Sequence, residues 1–273
     1  MGRAGNRDLR PVLSMIPQQR ILVEPTTDCT RNCAFCRPAV STCMYLHPRQ
    51  YARMIGQLAD MGWDRTLHYS GMGEPTLHPD FVEFVQMAKE ALPKAQLSLY
   101  TNGDLFTVKM LRDLRGLDFV AWDVYEDDAT AERMGQIVAE SGYPPERFRV
   151  VDQVQHPIRI YSRAGALFKC ADVKKFWDMP CVQPYEQFQF SANGNWILCC
   201  NDARWRKQWP GRLSPIELNE YPDFIATATA IAKRRGNSPV CRECEIPATG
   251  NPWHGKGPAR FCPGINKTRF WVE

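Results

Sequence analysis

Residues 20–36 read RILVEPTTDCTRNCAFC, an apolar run that ends at Glu24-Pro25 and then delivers three cysteines within eight positions. The run RILVEP, rich in β-branched and aliphatic residues and stopped by proline, is expected to be a strand, and the cysteines fall in the loop after it. Three thiolates in one short loop can hold three irons of a cubic [4Fe-4S] cluster, which takes four thiolates for complete ligation, so one iron is left for another ligand. The alternatives are a zinc knuckle completed by a distant Cys or His, or thiols buried without a ligand.

Outward from this loop, strand-like and helix-like segments alternate. Strands are expected at 66–70, 96–101, 118–125, 147–154 and 157–163, and helices at 48–61, 79–92, 107–115 and 127–141. Tyr51, Met54, Ile55 and Leu58 share one helical face, as do Phe81, Phe84, Val85 and Ala88. Thr107 is placed to cap the third helix. Such alternation predicts βαβ units and a parallel sheet, curled or open. From about residue 166 Pro, Trp and Cys become frequent. FQFSANGNWILCC then reads as a β-hairpin turning at Asn193-Gly194, and a helix is expected at 222–235.

The chain has 273 residues, 44% of them hydrophobic, and a net charge of +4. Its basic residues are scattered, which argues against nucleic acid as a partner, and no stretch approaches the roughly 18 apolar residues of a membrane helix. A cytoplasmic protein is expected, in which eleven cysteines point to metal or cluster ligation rather than disulfides.

Cys29-x3-Cys33-x-Phe35-Cys36, with an aromatic residue before the third cysteine, resembles the signature of radical S-adenosylmethionine (SAM) enzymes. The resemblance implies a partial (β/α)6 TIM-like barrel of the α/β class, a SAM-chelating [4Fe-4S] cluster on Cys29, Cys33 and Cys36, and reductive cleavage of SAM to a 5′-deoxyadenosyl radical. Ser70-Gly71-Met72-Gly73-Glu74-Pro75 resembles the family's Gly-Gly-Glu-Pro segment, whose backbone and Glu74 would bind the methionine ammonium. Thr101-Asn102-Gly103 resembles the segment near the SAM ribose, and Asp123 and Arg163 resemble polar contacts to SAM or substrate. Arg163 is the preferred catalytic candidate, with His68, Tyr161 and Asp123 as other cavity candidates.

Cys181, Cys199, Cys241 and Cys244 form a second set, chemically able to hold a cluster or a structural zinc. Their arrangement resembles the twitch and SPASM extensions of some radical SAM enzymes, aminocyclitol dehydrogenases among them, which implies one auxiliary [4Fe-4S] cluster in a small Cys-rich α+β domain. The expected organisation is an N-terminal extension (1–19), the barrel (20–165), the auxiliary domain (166–250) and a tail (251–273). The implied reaction is a two-electron oxidation of a small alcohol or aminocyclitol-like substrate, fed by a flavodoxin- or ferredoxin-type reductant. Peptide modification is the alternative, and a non-enzymatic zinc or electron-transfer protein a more distant one.

Overall fold

The computed structural model describes residues 20–33, 36, 43–124, 128–152, 181, 183, 187–197, 199–202, 208–209, 238 and 240–244. Phe35, Tyr161, Arg163, the expected strand 157–163, the expected helix 222–235 and the tail lie outside them.

Strand β1 (Arg20–Val23) has no polar face to offer: Ile21 and Val23 are fully buried and Leu22 nearly so. A strand apolar on both sides belongs inside a sheet, and β1 is flanked on both edges. On one side it pairs in parallel with β2 (Thr66–Tyr69), followed by β3 (Gln96–Thr101), β4 (Phe119–Val124) and β5 (Phe148–Asp152). On the other it pairs in parallel with β6 (Gln187–Phe190). Strand β6 turns antiparallel into β7 (Trp196–Ile197), which pairs with β8 (Gln208–Trp209). The order is therefore β5-β4-β3-β2-β1-β6-β7-β8.

The helices follow their sequence pattern. Helix α1 (Pro48–Met61) buries Tyr51, Met54, Ile55 and Leu58, and α2 (Phe81–Ala91) buries Phe81, Phe84, Val85 and Ala88. The Tyr51 and Phe84 rings stack at 4.0 Å. The Tyr51 hydroxyl donates to Phe84 O at 2.8 Å and meets the Tyr69 hydroxyl, so two buried phenols satisfy each other. Thr107 Oγ1 accepts from Met110 N at 3.1 Å and caps α3 (Val108–Asp113) as expected. Helix α4 (Asp128–Ser141) leads to β5.

The hairpin turns at Asn193-Gly194, where Gly194 N donates to Ser191 O. Its inner strand lies on the same sheet as β1–β5, and Phe188 and Phe190 pack against Trp196 at 5.5 and 4.9 Å. The cysteine-rich segment thus shares the core of the α/β layer.

Candidate active site

The cluster loop grows from a zipped stem. Thr27 N donates to Met44 O and Leu46 N to Pro25 O, at 2.9 and 2.7 Å. Thr27 Oγ1 accepts from Met44 N, and the Tyr45 hydroxyl donates to Asp28 at 2.6 Å. These bonds fix where the chain leaves β1, and so where Cys29 starts.

Against that stem runs the segment after β2. Ser70 N donates to Val23 O and Glu74 N to Asp28 O, at 3.0 and 2.7 Å. Gly71 has φ +151°, and a Cβ on Gly73 would lie 2.2 Å from Thr26 O, so both positions need glycine. Met72 sits between them without disturbing the path, because only its backbone is used. Its N–H donates to Glu24 Oε1 at 2.7 Å, and its carbonyl faces Cys36 Sγ at 4.0 Å.

Glu74 is buried and already engaged. Oε1 accepts from Thr76 N, Thr76 Oγ1 and Thr101 Oγ1, and Oε2 from Asn102 N at 2.8 Å. Four donors oppose the burial that raises its pKa, and burial prevails. The acceptor capacity left on Oε2 is what remains for a ligand ammonium. Asn102 is also committed: Nδ2 donates to Thr30 Oγ1 at 2.9 Å and approaches Cys29 Sγ at 3.7 Å, while its carbonyl accepts from Trp122 Nε1.

Cys29, Cys33 and Cys36 open on one cleft, together with Gly71, Met72, Gly73, Glu74, Asn102 and Asp123. Every described residue expected at the cluster and SAM site lines this space. Ser70, Tyr100, Thr101 and Arg31 line it too. Ser70 and Thr101 stand in the two motif segments, whereas no motif specifies Tyr100 or Arg31, although the alternation of β3 turns Tyr100 to the same side as Ser98. Burial, and then the Asp123 carboxylate, push the Tyr100 phenol up and keep it a neutral donor.

His68 does not line the cleft. It lies behind Tyr100, edge to face at 4.4 Å, with Nδ1 at 2.9 Å from Ser98 Oγ. Burial, with a smaller contribution from Arg20, pushes its pKa down to about 3, which makes it a poor base.

In the second set, Cys199 lies beside Cys200 and near Cys181, and the contact with Cys200 is the largest cause of its raised pKa, ahead of burial. Cys241 and Cys244 bracket a 3-10 turn, where Cys244 N donates to Cys241 O. Cys181, Cys199 and Cys241 pack on the same apolar core. Among the described residues, no three His, Cys, Asp or Glu side chains close round a single metal ion.

A parallel α/β sheet with a three-thiol loop and a glycine cradle at its C-terminal strand ends defines a barrel enzyme whose iron-sulfur cluster keeps one iron for a second ligand. Residues 23–152 match the radical SAM superfamily. The S-adenosyl-L-methionine-dependent 2-deoxy-scyllo-inosamine dehydrogenase of Niallia circulans is 26% identical over 231 residues, which is 82% of this chain and 91% of that protein. Over 79 residues, 28% of this chain and 22% of its partner, there is 34% identity to the tungsten-containing aldehyde ferredoxin oxidoreductase cofactor-modifying protein of Pyrococcus furiosus. The fold is similar to that of BtrN in complex with AdoMet and 2-DOIA, with TM-score 0.66 and 22% identity over 84% of this chain and 93% of that one. It is also similar to native anSMEcpe with bound AdoMet, with TM-score 0.54 and 13% identity over 77% and 83% of the two chains. The fold is that of a partial α/β barrel, and the family match implies a [4Fe-4S] cluster with SAM at the three-thiol loop.

The residues fit that cofactor. Cys33 is pushed up to about 11, first by burial and then by the charges of Cys36 and Cys29, and Cys29 is raised mainly by burial. Without iron these neighbours keep their protons, and iron would displace them. Arg31 N already donates to Cys29 Sγ at 3.4 Å, a donor that suits a thiolate.

Proposed function

We propose that the protein is a dehydrogenase that oxidises a small hydroxylated substrate of the aminocyclitol kind by two electrons. The observation that carries this reading is the shared cleft: the three thiols and the SAM cradle open onto the same space as Tyr100 and Asp123, a neutral donor beside a carboxylate. That pair suits a substrate bearing hydroxyl and amino groups. The likeness to the Niallia circulans dehydrogenase over 91% of its length supports a substrate of that class.

When bound, the cluster and SAM supply a 5′-deoxyadenosyl radical that takes one hydrogen atom from a substrate carbon. Cys29, Cys33 and Cys36 would hold the irons, while Gly71, Met72 and Gly73 offer backbone groups to the methionine end. Glu74 would accept from its ammonium, Asn102 fixes the wall beside the ribose, and Phe35 would flank the adenosine. Tyr100 and Asp123 orient the hydroxyl being oxidised. Arg163 is assigned to the hydroxyl proton or to the SAM carboxylate. After the hydrogen atom leaves, conversion of the alcohol to a ketone releases one proton and one electron. Cys181, Cys199, Cys241 and Cys244 would hold an auxiliary [4Fe-4S] cluster as the acceptor of that electron. A flavodoxin or ferredoxin would reduce the first cluster. The proposed boundaries are a barrel over 20–165 and an auxiliary domain over 166–250. A cytoplasmic location suits this chemistry, and no helix among the described residues is long and apolar enough to cross a membrane.

The test is anaerobic reconstitution with iron and sulfide, followed by reduction in the presence of SAM and deuterated aminocyclitols. The expected results are about eight irons per chain, 5′-deoxyadenosine, deuterium transferred into it and a keto product. Cys29→Ala is expected to abolish SAM cleavage. Deuterium transfer from a peptide and from no aminocyclitol overturns the substrate class in favour of peptide modification. A colourless zinc protein overturns the reading as a whole.

A further inference from the structure

The zipped stem holds residues 25–28, but Cys29 to Cys33 project beyond it. Their side-chain bonds lead elsewhere. Arg31 Nε donates to Asp104 Oδ1 and Oδ2 at 3.0 and 2.9 Å, and Arg31 Nη2 donates to the same carboxylate. Thr30 Oγ1 donates to Asp104 Oδ2 at 2.6 Å and accepts from Asn102 Nδ2 at 2.9 Å. Two adjacent residues of the cluster loop are therefore tied to the turn that follows β3.

That turn is itself anchored. Asp104 N donates to Asn102 Oδ1 at 3.0 Å and Gly103 N to Thr101 Oγ1 at 3.0 Å. Trp122 Nε1, from β4, donates to Asn102 O at 2.6 Å, and Arg133, from α4, reaches Gly103 O at 3.4 Å. The Arg31 and Asp104 side chains are only 16% and 25% exposed, unlike the surface pair Lys109–Asp113 at 85% and 33%. A planar guanidinium facing a carboxylate through several N–H groups in a partly shielded place is a strong and directional link.

We infer that Thr30, Arg31, Asn102 and Asp104 form a latch that holds the cluster loop against the end of β3 before any iron enters, which makes Asp104 a positioning residue for the cluster. The first half concerns the protein alone; the second rests on the radical SAM reading above. The latch leaves the thiols to the cleft and confines the loop that carries them. It also brings Asn102 within reach of Cys29 Sγ. A preformed loop places less of the ordering cost on cluster insertion.

The experiment uses the full chain, anaerobic and free of iron. Amide deuterium exchange over residues 28–33 is measured for wild type, Asp104→Ala, Arg31→Ala and the double variant. Each single change is expected to speed exchange there by roughly tenfold, with residues 187–197 unchanged. The double variant is expected to add little to Asp104→Ala, because Asp104 is the shared acceptor for Arg31 and Thr30. Equal exchange in wild type and both single variants overturns the latch. Additive effects in the double variant overturn the pairing as its mechanism.

In the second arm the reconstituted proteins meet an iron chelator. Asp104→Ala is expected to lose about four irons several-fold faster than wild type, and Asp104→Glu to recover part of the difference. The electron paramagnetic resonance signal of the reduced cluster with SAM is expected to broaden in Asp104→Ala. Unchanged iron loss and an unchanged signal overturn the positioning role. Wild-type protein that takes up no cluster overturns the radical SAM reading, while the exchange result still decides the latch.

Discussion

Glu24 carries a carboxyl to the end of a strand that is otherwise apolar, where Oε1 accepts from Met72 N at 2.7 Å and the Ala192 N–H lies close to the carboxyl. Burial pushes its pKa from 4.5 up to about 7, and the Met72 and Ala192 N–H groups offset only part of that. The folded protein therefore keeps a proton that the unfolded chain releases near 4.5. Stability is greatest below that pH and falls as the pH rises through about 7. Denaturant unfolding at pH 5 and pH 8 is expected to show a loss on the order of 2–3 kcal/mol for the wild type, and a much flatter profile for Glu24→Gln. Gly73 has a different constraint. The atoms a Cβ would meet there are the Thr26 and Asp28 carbonyl oxygens, at 2.2 and 2.5 Å, and backbone cannot swing aside as a side chain can. Gly73→Ala is expected to weaken SAM binding to the reconstituted protein by tenfold or more, measured by equilibrium dialysis, with iron content retained.

At the scale of elements, much was legible because hydrophobic spacing and capping chemistry are local. The residues expected on the buried faces of α1 and α2 are buried, and β3 runs over 96–101 as read. Thr107 caps α3 through its own hydroxyl, so Thr107→Ala is expected to cost about 1 kcal/mol in chemical unfolding and to leave SAM cleavage unchanged. What stayed hidden is relational. Nothing in the alternation of Phe188 and Phe190 says that their strand lies parallel to β1. The motif reading assigned Glu74 to a ligand, yet its four protein donors are visible only once Thr76, Thr101 and Asn102 are placed round it. Arg31 and Asp104 stand 73 positions apart, so no local pattern pairs them.

At the scale of the whole molecule, the parallel pairing of β1 with β6 joins the cluster loop and the cysteine-rich hairpin to one sheet. One strand thus leads to Cys29 while its neighbour leads through the hairpin toward Cys199, which gives both cysteine sets the same rigid support. If the second set holds the electron acceptor, damage there should separate hydrogen abstraction from net oxidation. Cys241→Ala tests this, because the residue is 8% exposed in the shared core and alanine keeps that position apolar. The variant is expected to hold about four fewer irons per chain and to form 5′-deoxyadenosine with deuterium still transferred from substrate, while the keto product falls at least tenfold. A drop in both 5′-deoxyadenosine and product would mean that the change reached the first site through the sheet. Undiminished product with fewer irons would remove the electron-accepting role altogether, because the substrate radical would then be passing its electron elsewhere.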